Sequence, residues 1–69
     1  MLNSVIVGKT YYIKLVKLNK IQSVEVINIT GPIVHVKITN GLNNGQVVKI
    51  SLLTFKNTYF ETSIDVTKK

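Results

Sequence analysis

The chain has 69 residues and a formal net charge of +6, with nine Lys set against one Asp and two Glu. A chain of this length builds one hydrophobic core and excludes a second domain. The absence of Cys excludes disulfides, zinc–thiolate sites, iron–sulfur clusters and thiol nucleophiles, and a single His leaves little for acid–base chemistry or a multidentate metal site.

The residue types predict an all-β chain. Of 31 hydrophobic residues 19 are Val or Ile, and seven Thr add to the β-branched load. Such side chains lose rotamer freedom on a helix and pack well on a pleated surface. Ala, the best helix former, is missing. The first run covers residues 9–18, with Tyr11, Ile13 and Leu15 on one face and Tyr12, Val16 and Leu18 on the other. The change of apolar face near Leu15 predicts a bulge or a strong bend. Asn19-Lys20 reads as a tight turn.

The second run covers residues 21–30. Val24 and Val26 share one face, then Ile27 and Ile29 take over the other, so this strand is also expected to bend. Gly31-Pro32 punctuates the chain, because Gly permits positive φ and Pro lacks an N–H. The third run, residues 33–39, alternates cleanly: Val34, Val36 and Ile38 against His35 and Lys37. Residues 40–45 contain two Asn-Gly pairs and read as a hairpin connection. The fourth run, residues 46–51, turns Val48 and Ile50 inward and Lys49 outward. Residues 51–55 continue that strand or form one turn of 3₁₀ helix. Lys56-Asn57 reads as a turn, and residues 58–66 as a last strand.

Five short, bent strands predict a small closed barrel, because closure removes edges that a Val/Ile-rich sheet cannot safely expose. The order of strand, hairpin and short turn resembles an SH3-like barrel, with a compact OB-like barrel as the alternative. Residues 1–66 form one small domain and residues 67–69 a polar tail. No stretch approaches the ~18 apolar residues of a membrane span. Residues 2–7 are too few for a signal peptide, and the pattern Asn28-Ile29-Thr30 lies in a strand-like run. The chain is therefore expected to work in the cytoplasm. Its bias toward Lys, Asn and Ile suggests an AT-rich coding sequence, as in a low-GC bacterium, a phage or another mobile element.

Charge is the main functional clue. Lys9, Lys14, Lys17, Lys20, Lys37, Lys49 and Lys56 stand in one segment against Glu25 alone. Lys14, Lys37 and Lys49 fall on outward positions and, with His35, would make a basic stripe that attracts phosphate through counterion release. Tyr12 or Tyr59 is the candidate exposed ring for stacking or peptide binding, whereas Phe55 and Phe60 read as core. Outward Lys is equally a device for solubility and against edge aggregation. Without Arg, bidentate reading of guanine is weak, so little sequence preference is expected.

Other candidates carry less. His35 stands without the partners a metal site requires. Glu61 and Asp65 share a face of the last run but have no nucleophile or base beside them. Gly41 and Gly45 do not precede the Lys-Ser/Thr and helix of a phosphate loop. The sequence thus predicts no catalytic residue, no metal and no cofactor. The expected function is a non-enzymatic basic β-barrel that binds nucleic acid through its phosphate backbone, using Lys14, Lys37, Lys49 and Tyr12. The alternative is a protein–protein adaptor or regulatory subunit of phage type, with self-association as an option. Lysines gathered on one face favour the first reading, and scattered lysines favour the second.

Overall fold

In the computed structural model, which describes residues 2, 4–15, 17 and 19–62, the β-branched runs form one antiparallel sheet. Its strands are β1 (Thr10–Leu15), β2 (Lys20–Thr30), β3 (Ile33–Ile38) and β4 (Val47–Ser51), in the order β1-β2-β3-β4. A helix, α1 (Leu52–Thr58), follows β4. The fold is therefore mostly β.

The register explains the change of face within β2. Val26 lies opposite Val36, but Asn28 lies opposite His35, so Ile27 is an extra residue in the ladder. This bulge reverses the parity of everything after it. Val24, Val26 and then Ile29 all face inward, while Ile27 is exposed. The comparable change at Val16 and Leu18 lies outside the described residues.

The inner face carries the core. Tyr11, Val24, Val26, Val34 and Val36 are buried, and Ile13, Ile29, Val48 and Ile50 pack against them. Phe55 enters from α1, edge-on to Tyr11 at 5.3 Å between ring centroids and stacked on Tyr59 at 4.3 Å. Burying one such ring rather than leaving it exposed contributes about 1.5–3 kcal/mol. The Tyr11 hydroxyl accepts a hydrogen bond from Ile6 N at 3.0 Å, so its polar end is satisfied.

Five strands were expected, and four form among the described residues; the difference lies after Ser51. The Ser51 side chain accepts from Thr54 N at 3.4 Å and caps α1. Leu52, Phe55 and Tyr59 then repeat at helical spacing toward the core. Seven residues are too few for that period to stand out in the sequence. Lys56 and Asn57 accordingly lie within α1 rather than in a turn. Of the expected last strand, residues 58–66, the described part, 58–62, makes a single bridge in which Phe60 pairs with Tyr12. Tyr12 N donates to Phe60 O at 2.9 Å and Phe60 N donates to Tyr12 O at 2.8 Å. Residues 63–66 of that run and the tail, 67–69, lie outside the described residues.

Two loops show local chemistry. Gly45 N donates to Ile38 O at 2.7 Å while Ile38 N donates to Gln46 O at 2.9 Å. Two residues thus face one, a bulge that needs the positive φ of 95° found at Gly45. Asn40 continues the β2–β3 ladder with its side chain, accepting from Ser23 N at 3.0 Å and donating to Ile21 O at 3.1 Å.

Tyr59 also links packing to pH. Burial beneath the sheet raises its pKa above the ordinary tyrosine value. A raised native pKa means that stability is full below the unfolded value of roughly 10 and falls as pH climbs past it. Thermal melts between pH 8 and 11 should show the midpoint dropping only at the alkaline end. In Tyr59→Phe that drop should shrink, and an unchanged alkaline drop would assign it to another group.

Candidate functional site

The pleat sends alternate side chains to the outer face. On β3 and β4 these are His35, Lys37, Val47 and Lys49, with His35 opposite Lys49 and Lys37 opposite Val47. Thr39 N donates to Ser23 O and Ile38 N donates to Gln46 O, so the ladder bonds of β3 alternate between its two neighbours. His35 and Lys49 are consequently a non-hydrogen-bonded pair, the closer kind, with Cα atoms about 4.5 Å apart. Lys37 sits on the diagonal from Lys49, about 7–8 Å away. Lys37 and Lys49 are exposed and His35 is half-buried.

One acidic group borders this patch. Glu25 lies opposite Lys37 on the other side. No ion pair within 4 Å joins them, and among the described residues the one such pair is Lys9–Glu61, at 2.7 Å.

Lys14 is exposed on the same face but lies opposite Ile21, four positions along β2 from Glu25. At about 3.3 Å per residue that is about 13 Å along the sheet, and two strand spacings separate it from Lys37. Tyr12 is half-buried on this face, between Ser23 and Phe60. Lys37, His35 and Lys49 therefore come together, while Lys14 and Tyr12 form a separate region.

The remaining lysines of the basic segment scatter. Lys9 is held by Glu61, lies 5.7 Å from the Tyr11 ring centroid, and has its pKa raised chiefly by the hydrogen bond to that carboxylate. Lys17 and Lys20 flank the β1–β2 turn, and Lys56 is half-buried on α1. The Lys9–Glu61 pair spans 52 residues of sequence, so nothing local signalled that this cation is partnered. Tyr59, one of the two candidate stacking rings, is buried against Phe55 instead. Its place seven residues after Leu52, just past the end of α1, continues the helix's inner face. Phe55 is core as expected, and Phe60 is half-buried.

Concavities accompany the sheet, and two of them are lined by residues of its turns and of α1. One, of about 150 Å³, lies between the β1–β2 turn and the β3–β4 loop, lined by Leu15, Ile21, Asn40 and Leu42 with Lys20 as its cation. The other, of about 260 Å³, lies beside α1 between Pro32, Leu52, Leu53 and Lys56. Neither gathers an acid and a base. Among the described residues, no three His, Asp or Glu side chains approach as metal ligands would. No helix of the described residues is long and apolar enough to cross a membrane. No protein-family model, curated protein or solved structure matches this chain.

Proposed function

We propose that this chain is a non-enzymatic binding module that holds a nucleic-acid backbone on the outer face of β3 and β4. The observation that carries this reading is the meeting of Lys37, His35 and Lys49 on adjacent outward positions, in a protein of net charge +6. Two ammonium groups supply point charges, and an imidazole N–H supplies a directional donor to a phosphate oxygen. Lys14 and Tyr12 form an outlying contact for a longer strand, with Tyr12 offering a ring for an unpaired base.

We read the fold in the same terms, as an SH3-like barrel. The long, bulged β2 and the return of the chain to β1 at Phe60 support that arrangement.

An amide titration of the ¹⁵N-labelled protein with a short single strand and a short duplex tests the function. Salt-sensitive shifts centred on residues 35, 37 and 49 are expected. Absence of shifts at low salt, where electrostatic attraction is strongest, would leave these lysines as solubility groups. The second reading, a protein–protein adaptor, is favoured by the scatter of Lys17, Lys20 and Lys56 and by the exposure of Ile6, Val7, Ile27, Leu42 and Leu53.

A further inference from the structure

Among the described residues β4 ends the sheet, and the alternation of its hydrogen bonds shows which groups it leaves open there. Gln46 bonds to Ile38, so Val48 and Ile50 face Val36 and Val34 through ladder bonds. The N–H and C=O groups of Val47 and Lys49, and the N–H of Ser51, point away from β3. No backbone bond from another described residue meets them. The opposite edge differs, because Phe60 occupies Tyr12 there. Val47 is 52% exposed, and the inward Val48 and Ile50 are only half-buried. Among the described residues the core is thus incompletely covered along β4.

A second copy and an acidic strand are the occupants to weigh for such an edge, and charge complementarity to Lys49 favours the acidic strand. A second copy pairing antiparallel about Lys49 would set Lys49 directly opposite its own counterpart, a destabilising like-charge pair. A second copy offering its β1 edge meets the Phe60 bridge. An acidic strand meets neither obstacle.

We propose that the β4 edge receives an extended segment of a partner protein by strand addition, and that this segment alternates apolar and acidic residues. Its acidic side chain lies opposite Lys49 on the outer face, near Lys37 and His35. Its apolar neighbours point inward, where they cover Val48 and Ile50. The proposal goes beyond the nucleic-acid reading and gives the adaptor reading a definite class of partner.

The test uses the full chain and a blocked heptapeptide alternating valine with glutamate. Hydrogen exchange at the Val47 and Lys49 amides is followed by NMR, with and without peptide. At nine-tenths occupancy both amides should slow by about tenfold, because exchange then requires release of the peptide. A copy N-methylated at its glutamates should leave them unchanged. A lysine-for-glutamate copy should bind about tenfold more weakly, and Lys49→Glu should reverse that order. Peptide binding without slowed exchange at these amides overturns the proposal. So does slow exchange before any peptide is added, which would mean that the edge is already covered. Equal affinity for the acidic and basic peptides also overturns it. Oligonucleotide shifts are scored separately, so failure here and failure of the nucleic-acid reading are distinguishable.

Discussion

Phe55→Ala is expected to leave the chain unfolded at room temperature, with loss of the strand signal in far-ultraviolet circular dichroism. Phe55 is fully buried and is the one α1 ring that touches both Tyr11 and Tyr59. Truncating a buried Phe costs about 3–5 kcal/mol, since the lost transfer energy is joined by a cavity the neighbours only partly fill. A core in a chain of roughly 70 residues supplies only about 3–5 kcal/mol in total. The single substitution therefore removes a margin of the same size. Phe55→Leu keeps much of the volume and should fold with a lowered urea midpoint. A folded Phe55→Ala protein with an unchanged midpoint would show that α1 adds little to the core. The exposed Leu53 is the control on the same helix, and Leu53→Ala should change stability by less than about 0.5 kcal/mol.

Replacing both Lys37 and Lys49 by Gln is expected to lower duplex affinity by about tenfold per lysine near 50 mM salt. The slope of log affinity against log salt should become shallower by about 0.9 per lysine. Both side chains are exposed, so stability should stay within about 0.5 kcal/mol of the parent. Lys14→Gln removes the same charge from the region four positions along the sheet and should cost less than either of the others. Lys9→Gln should cost least, because Glu61 already holds that ammonium. Fluorescence anisotropy of a labelled duplex across a salt series measures the double variant and the four single Lys→Gln variants. Equal losses from Lys9, Lys14, Lys37 and Lys49 would mean diffuse attraction to the whole positive surface rather than a site on β3 and β4.

The strands were legible because each carries its own signal. The alternation of Val34, Val36 and Ile38 against His35 and Lys37 is a period of two that only a half-buried strand satisfies. The phase change at Ile27 was equally visible, and the register shows it to be a bulge. The helix was not legible. Its evidence is one cap at Ser51 and an inner face of Leu52, Phe55 and Tyr59, and a segment of seven residues gives a 3.6-residue period little room. Tyr59 was misplaced for the same reason, since a ring read on an outward strand position lies inward on the helix and its exit.

The outward positions of Lys14, Lys37 and Lys49 follow from strand periodicity alone, so the sequence by itself determined which face each lysine occupies. It also determined the all-β character, through its Val, Ile and Thr content. Only the tertiary structure decided which of those lysines are neighbours. Pairing register joins Lys49 to His35 and leaves Lys14 distant, while a contact across 52 residues gives Lys9 to Glu61. That β4 is an edge of the sheet among the described residues was decided in the same way. The physical reason is that periodicity is a property of consecutive residues, whereas register and edges arise from hydrogen bonds between segments far apart in the chain.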